Sequence, residues 1–438
     1  MARRKILPKF NRYSYYIEEN SAGKLLGPQS EALQRLQEFF ADQSQTGRIG
    51  LVSMPTGSGK SGIISCLPYF LGKLGLNPPP TPDDDPEGEP LHRFNKPVLV
   101  IAPDLAIASQ LDGKLTISAD AADDENFLLA RKIVTEEDDD DQEVLPQGVK
   151  IQETAHLGNP KFLRNKDLVI ANAQKFLQGN WEEVLPDDIF KLVIVDEAHH
   201  HPAKTWRRII RKFKHHAMVV FLTATPFRAD GRRVVEDEEG DMVYRLSLED
   251  ARTNRIIRRI NWLQLVSGDT NLHNIFSIIL ERVKSIQQSK DRETPLPDNI
   301  PHMAIAITKN IAYAEDVRQM WDDHWGNHGM AIAYHSDLPK KTKLAMMEAI
   351  QSNQIKLVVV VDMLREGFDY PPISIAAIMT KIVSPVKFAQ FIGRAQRIVR
   401  GHQGLESQEI FSDVVTHSYF QQEENYQTYE REGLIPDD

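Results

Sequence analysis

The segment MPTGSGKS, residues 54–61, brings together two glycines, a lysine and a hydroxyl side chain at the spacing of a phosphate-binding loop. The glycines allow the backbone to fold around a phosphate, and the amides at the start of a following helix supply donors and the positive end of the helix dipole. Lys60 is expected to reach the β- and γ-phosphates of a nucleotide, and Ser61 to bind Mg²⁺. A methionine replaces the first glycine of G-x-x-x-x-G-K-[ST], and a chance Gly/Ser-rich turn is the alternative. The residues predicted to bind the nucleotide here are Thr56, Gly57, Ser58, Gly59, Lys60 and Ser61.

The segment KLVIVDEAHH, residues 191–200, ends an apolar run with two adjacent carboxylates. Asp196 is expected at the end of a strand, where it can hold the same Mg²⁺ as Ser61, and Glu197 can orient and deprotonate an attacking water. By themselves the two acids would also suit the first turn of a solvated helix. Three consecutive histidines, 199–201, raise the alternative of a zinc site, but metal-binding histidines on helices usually recur three or four residues apart. We therefore predict phosphoryl transfer that depends on Lys60, Asp196 and Glu197, with a structural or coupling role for His199.

Short runs of Val, Ile and Leu, separated by helix-length segments, must position these motifs. Continuous apolar runs without alternation are typical of parallel strands buried on both faces, and strand–helix alternation predicts a parallel α/β sheet. The pattern fades near residues 231–240 and then resumes, so we predict two α/β domains with a boundary between about 235 and 260. The predicted strands are Ile49–Met54, Val98–Ala102, Leu168–Ala171, Leu192–Val195 and Val219–Leu222, then Trp262–Val266, Ala304–Ile307, Ala331–Tyr334, Leu357–Val361 and Ile375–Met379.

The charge of the chain is unevenly distributed. Its net charge is −10, but residues 83–89 carry −5 and residues 120–143 carry −9, so the rest of the chain carries +4. The proline-rich stretch 77–90 and the acidic run 136–141 predict solvated loops. An acidic total therefore does not exclude a nucleic-acid partner. Protein docking or DNA mimicry by the acidic stretches is the less favoured alternative.

Composition excludes several classes of protein. The chain is 41% hydrophobic, which suffices for buried cores. No apolar run approaches the ~20 residues that span a bilayer, and the basic N-terminus lacks the apolar segment of a secretion signal. The single cysteine, Cys66, excludes an intramolecular disulfide or a cysteine-cluster zinc site. We expect a cytoplasmic protein with no membrane partner.

The order of motifs along the chain resembles that of a superfamily 2 helicase. MPTGSGKS, VLVIAPDLAIASQ, DLVIANAQKF, VDEAHH, LTATPFR, REGFDYP and QFIGRAQRIVR follow one another between about residues 25 and 410. The chain most resembles the DEAD/DEAH-box branch that contains the ATPase subunits of type I and III restriction enzymes and the XPB-like helicases. The resemblance implies two tandem RecA-like domains, each a mostly parallel sheet flanked by helices, with ATP and Mg²⁺ bound in the interdomain cleft.

The resulting domain prediction covers the whole chain. It comprises an N-terminal arm 1–24, a first RecA-like domain 25–235 with acidic loops near 77–93 and 118–148, a linker 236–260, a second RecA-like domain 261–420, and a C-terminal tail 421–438.

The resemblance implies roles for residues that spacing alone does not explain. Gln29 in GPQSEAL resembles the adenine-reading glutamine, although the aromatic and basic residues usual just before it are missing. Thr223 and Thr225 in TATP are implied to couple hydrolysis to domain motion, with His199. Further implied residues are Gln390, Arg394 and Arg397 in QFIGRAQR, facing the nucleotide from one side of a helix, and Gly367 and Asp369 in EGFDYP, near the ribose and γ-phosphate.

Nucleic acid is the implied partner, and small polar residues at strand ends are its candidate ligands. Two basic clusters, residues 204–216 and Arg255 with Arg258 and Arg259, are candidate electrostatic footprints, and solvated helix faces are the equally weighted alternative. The candidates from the family pattern are Pro103, Asp104, Ser109, Gln110, Asn172 and Gln174, then Thr308, Lys309, His335, Ser336 and Lys381.

Two functions remain open at the level of sequence. The first is a nucleic-acid-dependent ATPase that translocates on or unwinds DNA, which is favoured over RNA on the resemblance alone. The second is an ATPase motor or sensor subunit that separates no strands and serves a nuclease or another subunit of a restriction or antiviral defence complex. No nuclease signature is recognisable in the sequence, which leaves the second function open.

Overall fold

The computed structural model describes residues 9–42, 47–75, 96–103, 105–116, 126–135, 144–177, 179–200, 204–225, 234, 240–325, 330–361, 370–399 and 410–431. The chain divides into two compact units. The first comprises Met1–Met54 with Gly59–Leu246, and the second comprises Pro55–Ser58 with Ser247–Asp438.

The first unit is built on a parallel sheet. Its described strands pair in the order β3-β4-β2-β5-β6-β1-β7, and each of these ladders is parallel. Because the strands are parallel, their carboxyl ends lie at one edge of the sheet, where ligands of α/β proteins usually bind. The strands are β1 (Ile49–Ser53), β2 (Val98–Ala102), β3 (Gly148–Lys150), β4 (Leu168–Asn172), β5 (Leu192–Val195), β6 (Met218–Thr223) and β7 (Gly240–Arg245).

The second unit repeats this architecture. Its described strands pair in the order β10-β11-β9-β12-β13-β8, again with parallel ladders. The strands are β8 (Arg259–Leu265), β9 (Met303–Thr308), β10 (Ala331–Tyr334), β11 (Leu357–Val361), β12 (Ile373–Ile378) and β13 (Phe411–His417).

Apolar side chains cover both faces of the second sheet. Along β9, Ala304 and Ala306 belong to one buried cluster, whereas Ile305 and Ile307 belong to another. Successive side chains of a strand point to opposite faces, so a run without polar alternation has to be buried on both sides. Burial of each large aliphatic side chain stabilises the fold by about 1.5–3 kcal/mol. The predicted reading of these runs as doubly buried parallel strands is confirmed.

Helices flank the sheets. The described helices of the first unit are α1 (Lys9–Ser21), α2 (Gly27–Ala41), α3 (Lys60–Gly72), α4 (Leu105–Leu115), α5 (Phe127–Ala130), α6 (Thr154–Leu157), α7 (Pro160–Arg164), α8 (Trp181–Val184) and α9 (Lys204–Phe213). Those of the second unit are α10 (Leu248–Thr253), α11 (Leu272–Glu293), α12 (Ile311–Trp325), α13 (Lys340–Gln351), α14 (Pro385–Gly393) and α15 (Glu423–Glu430).

Several strands and helices of the structure were not predicted from the sequence. Strands β3, β7 and β13 were not predicted, and β7 and α10 lie within the predicted linker 236–260. The predicted N-terminal arm contains α1, whose buried Phe10 stacks edge-on against Tyr69 of α3. The predicted tail contains α15. These segments escaped prediction because they are short or amphipathic and lack a continuous apolar run.

The acidic stretch 118–148 also differs from the prediction of a loop. Its residues 126–135 form α5 and a following turn, with Leu128, Ile133 and Val134 buried. The stretch 77–93 lies outside the described residues, as does the acidic run 136–141. The prediction of a loop rested on the charge of the stretch, and it did not take into account the short apolar segment between the two acidic runs.

Within the part of the chain that the structure describes, no helix is both long and apolar enough to cross a bilayer.

Candidate functional site

The phosphate-loop motif connects the end of β1 to the start of α3. Gly57 and Gly59 have φ values of +85° and +91°, a backbone region that favours glycine. The buried Ser58 tightens the loop by donating its hydroxyl to the carbonyl of Pro55 at 2.6 Å. Thr56 is half-buried beside them, and Lys60 and Ser61 form the first turn of α3. The first amides of a helix have no carbonyl one turn before them in the helix, so the amides of Lys60 and Ser61 are suited to an anion.

Gln29 lies against this loop. It is buried in the first turn of α2, where its Oε1 accepts from the amide of Leu26 at 2.8 Å. Its Nε2 donates to the carbonyl of Gly59 at 2.7 Å. A Cβ atom on Gly59 would lie 2.5 Å from that Nε2, so only glycine allows this approach. The glutamine singled out by the resemblance is therefore in direct contact with the loop.

Phe127 and Arg131 were not predicted as site residues from the sequence. A Cβ built on Gly62 of α3 would lie 2.5 Å from Nε2 of Gln29 and 2.6 Å from Cζ of Phe127, which brings these two groups within about 5 Å of each other. The ring of Phe127 is half-buried, and the Arg131 guanidinium lies 5.9 Å from its centroid. An aromatic residue thus lies near Gln29 and a basic residue lies near that aromatic ring, and both come from the stretch predicted to be an acidic loop. The apolar run FLL, residues 127–129, was the feature of the sequence that could have predicted a folded segment here.

Glu197 and Lys60 meet at the carboxyl edge of the first sheet. The Lys60 ammonium lies 3.7 Å from Oε1 of Glu197 and donates to the carbonyl of Met54 at 3.3 Å. Both side chains are mostly shielded, with 10% and 17% exposure. Glu197 has a φ of +49°, an unusual backbone conformation for a residue other than glycine. Asp196 precedes it at the end of β5, and its Oδ1 accepts from the Glu197 amide at 3.0 Å.

His199 connects Glu197 to the end of β6. Its Nδ1 lies 3.3 Å from Oε2 of Glu197 and 3.1 Å from Oγ1 of Thr223. The Thr223 hydroxyl donates to the carbonyl of Thr225 at 2.8 Å and accepts from the Thr225 amide at 3.1 Å. With its proton committed to that carbonyl, Thr223 Oγ1 accepts from His199, so Nδ1 carries a proton. Lys60, Glu197, His199 and Thr223 thereby form one continuous chain of contacts.

The oxygen donors at this edge are of the type that Mg²⁺ prefers. Asp196 supplies a buried carboxylate after β5, and Ser61 supplies a hydroxyl at the second position of α3. No group of three or more His, Cys, Asp or Glu side chains that could hold a metal occurs in the described residues. A magnesium ion that takes its remaining ligands from phosphates and water needs no such group. The residues present therefore fit Mg²⁺ bound together with a nucleotide.

The arginine motif of the second unit departs from the predicted geometry. Helix α14 ends at Gly393, so Arg394 and Arg397 do not share a helix face as predicted. Arg394 is the buried C-cap residue, whereas Arg397 is half-buried and its backbone forms an antiparallel bridge with Ile257. Gln390 lies inside α14 and is also half-buried. The helix gives way to a turn because the backbone of the motif pairs with residues 257–258 instead. Gly367 and Asp369 lie outside the described residues.

The nucleic-acid candidates of the first unit follow the adjacent strands β2 and β4. Pro103 follows β2, and Ser109 and Gln110 are exposed on α4. Asn172 is buried at the end of β4, where its Oδ1 accepts from the Lys175 amide at 3.2 Å. Asn172 therefore acts as a cap, and Gln174, two residues later, is exposed. Asp104 lies outside the described residues.

The candidates of the second unit follow β9, β10 and β12. Thr308 is fully buried, with its hydroxyl 3.4 Å from the carbonyl of Val360, and its role as a ligand stays a prediction. Lys309 and Ser336 are exposed and His335 is half-buried. Lys381 is exposed and donates to Oε1 of Gln421 at 2.9 Å.

The basic side chains of both clusters are less available to nucleic acid than the composition of these segments suggests. In α9, Arg208 makes two bonds to Glu182, at 2.7 and 2.8 Å, and Lys212 lies 2.7 Å from Asp187. In the second cluster Arg258 is wholly buried and Arg259 pairs with Glu249 at 3.0 Å. The apolar residues of α9 face the core, as in the alternative of a solvated helix; they are Ile209, Ile210 and Phe213.

Comparison with known proteins finds two family models on this chain. The model described as type III restriction enzyme, res subunit, matches residues 23–228, and the helicase conserved C-terminal domain matches residues 298–399. The putative helicase 22 of Sulfolobus islandicus filamentous virus (isolate Iceland/Hveragerdi) is 20% identical over 227 residues, which are 47% of this chain and 40% of the viral protein.

Solved structures share the fold across nearly the whole chain. The fragment of a putative HsdR subunit of a type I restriction enzyme from Vibrio vulnificus YJ016 has a TM-score of 0.59 at 16% identity, covering 92% of this chain and 65% of that chain. Mycobacterium smegmatis helicase Lhr, bound to ssDNA and AMP-PNP, has a TM-score of 0.58 at 17% identity, covering 94% of this chain and 48% of that chain. This chain thus spans less than two thirds of each of these relatives. The two matched family models and the order of the motifs show that this chain belongs to helicase superfamily 2, and the shared fold is that of tandem RecA-like units.

Proposed function

We propose that this chain hydrolyses ATP to ADP and phosphate in response to nucleic acid, and that it uses the reaction to translocate on or unwind DNA. The observation that carries the proposal is the continuous contact from Lys60 through Glu197 and His199 to Thr223. It joins the group expected to hold the terminal phosphates to a strand end outside the phosphate loop. Such a connection suits a site whose chemical state must be transmitted to the rest of the unit.

Each residue has a proposed task. The loop amides and Lys60 bind the β- and γ-phosphates, and Ser61 and Asp196 hold Mg²⁺, which neutralises phosphate charge when bound. Glu197 orients the attacking water and accepts its proton. Arg394 and Arg397, with Gln390, stabilise the charge that develops on the γ-phosphate. Hydrolysis then requires residues of both units, so the predicted domains 25–235 and 261–420 would work together.

We also assign the adenine base to the group formed by Gln29, Phe127 and Arg131. The half-buried ring of Phe127 offers a stacking surface. The amide of Gln29 uses one N–H on Gly59 and one oxygen lone pair on Leu26, so its second N–H and second lone pair are the ones assigned to the base. Stacking retains purines, and an amide edge can distinguish one purine from another.

The comparisons also support a second candidate function. The res-subunit family model and the HsdR fragment are both of restriction enzymes, and this chain spans 65% of that fragment. A non-unwinding ATPase motor or sensor subunit of a restriction or antiviral defence complex would have the same nucleotide site. The two functions differ in whether nucleic acid alone activates the isolated chain.

The test is the steady-state ATPase rate of the wild type and Glu197→Gln without nucleic acid and with single-stranded DNA, duplex DNA or RNA. Stimulation by DNA that Glu197→Gln abolishes would support the first function. A rate that is sensitive to Glu197→Gln but indifferent to every polymer would favour the subunit function. A rate that Glu197→Gln leaves unchanged would refute both.

A further inference from the structure

The buried Arg258 holds the backbone that carries the arginine motif. Its guanidinium donates to the carbonyls of Ile373 at 2.9 Å and Ala395 at 3.1 Å, and its side chain is fully buried. Its backbone amide donates to the carbonyl of Gln396 at 2.7 Å. Together with the bridge between Ile257 and Arg397, these bonds hold the backbone of the turn after α14 against residues 257 and 258.

Gln396 secures the same turn through its side chain. It is fully buried between Arg394 and Arg397 in sequence, and its Nε2 donates to the carbonyl of Arg258 at 3.0 Å. Its Oε1 accepts from the hydroxyl of Tyr429. A buried amide with partners at both ends has one orientation, because loss of either bond costs about 1–3 kcal/mol. Gln396 therefore connects the arginine turn to α15.

Helix α15 is itself anchored at three points. The ring of Tyr426 stacks on Trp262 with centroids 4.4 Å apart and planes 2° from parallel. The indole of Trp262 donates to Glu423 at 2.9 Å, and Arg252 makes two bonds of 2.7 Å to Glu430. The hydroxyl of Tyr429 is consequently presented to Gln396 by a helix that is fixed at both ends.

We propose that Gln396 and Tyr429 are positioning residues for Arg394 and Arg397 in ATP hydrolysis. The inference rests on the proposed function. An arginine that acts on a transition state must be held within a fraction of an ångström, and a small displacement can cost up to about 100-fold in rate. The bonds from Gln396 to Arg258 and Tyr429 supply this restraint through the backbone of the turn, so neither Gln396 nor Tyr429 needs to touch the nucleotide.

The decisive variant is Tyr429→Phe, which removes one hydroxyl and keeps the ring packed against Phe388. We expect kcat to fall about tenfold with a KM for ATP within twofold of wild type and little change in Tm. Tyr419→Phe, at an exposed tyrosine, is the matched control and should change none of these values. In a background that carries both Arg394→Ala and Arg397→Ala, Tyr429→Phe should cause less than a twofold further loss, because the two arginines that Tyr429 helps to position are absent.

An unchanged kcat for Tyr429→Phe would overturn the inference. A loss of rate that follows a loss of Tm would overturn it too, since that indicates a purely structural role. Losses that multiply in the background without Arg394 and Arg397 would also overturn it, because the effect would then not act through these arginines. Glu197→Gln separates this failure from that of the proposed function. If Glu197→Gln abolishes hydrolysis while Tyr429→Phe leaves kcat intact, only the positioning role is wrong; if Glu197→Gln leaves hydrolysis unchanged, the proposed function itself fails.

Discussion

Nδ1 of His199 lies 3.1 Å from Oγ1 of Thr223 and 3.3 Å from Oε2 of Glu197. One imidazole thus contacts the proposed catalytic carboxylate and a strand end 24 residues away in sequence. A histidine in this position can transmit a change in the charge or position of Glu197 to the loop that follows β6. The contact gives a structural basis for the coupling role predicted for His199, Thr223 and Thr225, which remains a proposal.

His199→Ala should uncouple hydrolysis from nucleic acid. Without the imidazole, Thr223 and Glu197 are no longer connected, so we expect the nucleic-acid-stimulated kcat to fall about tenfold and the KM for ATP to stay within twofold. His215→Ala, at an exposed histidine, is the control. Equal stimulation in His199→Ala and wild type would exclude the coupling role.

Gly59→Ala should weaken nucleotide binding. The added Cβ would lie 2.5 Å from Nε2 of Gln29, at a residue whose φ is +91°. Gly23→Ala is a matched control because Gly23 has a φ of +73° but no atoms within 4 Å of its Cβ position. Both variants incur backbone strain of about 1–2 kcal/mol, but only Gly59→Ala should weaken binding of a fluorescent ATP analogue, by at least about tenfold. Equal affinities in the two variants would contradict this.

Phe127→Ala should weaken binding of ATP much more than binding of inorganic tripolyphosphate. Loss of the stacking surface removes about 0.5–1.5 kcal/mol of base binding, which is a change of roughly two- to tenfold in Kd. Leu129→Ala on the same helical turn is the control. Competition titrations with ATP, GTP and tripolyphosphate would measure it. A parallel loss for all three ligands would place Phe127 outside the base site.

Lys309→Ala should weaken DNA binding evenly across sequences. Lys309 is exposed directly after β9, at the edge where the other candidate ligands lie. If Lys309 contacts one phosphate, the slope of the logarithm of the DNA association constant against the logarithm of the salt concentration should become less negative by about 1. Lys356→Ala, which removes a lysine paired with Asp291 at 3.1 Å, is the control. An unaltered slope for Lys309→Ala would remove this residue from the interface.

Acid should destabilise the second unit through His302. Burial lowers the pKa of His302 from its usual 6.5, and nearby Lys290 and Arg258 lower it further. Its Nε2 donates to the carbonyl of Thr294 at 2.8 Å, and its Nδ1 accepts from Ser374 at 2.7 Å, so the folded state holds the neutral ring. The unfolded state binds the proton more readily, and the contribution of His302 is present above pH 6.5 and lost as the pH falls through its lowered pKa.

Urea unfolding at pH 7.5 and pH 5 measures this effect. The free energy of unfolding should fall more between the two pH values in wild type than in His302→Gln, which cannot titrate. His273→Gln, at an exposed histidine, should behave as wild type. The same pH dependence in all three proteins would show that other groups are responsible.

The local motifs of this chain determined the chemistry that could be predicted from sequence. A phosphate loop is encoded within eight residues because glycine spacing and a helix start fix the backbone directly, and doubly buried strands appear as continuous apolar runs. The positions of Gly57, Gly59, Lys60 and Glu197 could therefore be read from their own neighbourhoods.

Tertiary structure decided everything that depends on contacts between distant segments. Phe127 reaches Gln29 only because a short helix inside an acidic stretch packs on α3, and Arg258 is buried rather than exposed because it supports a turn some 138 residues away. Tyr429 meets Gln396 across 33 residues, and the backbone of Arg397 pairs with Ile257 instead of continuing a helix. Such partners carry no periodic signal, because their meeting is set by how the sheet and its flanking helices assemble rather than by the residues on either side.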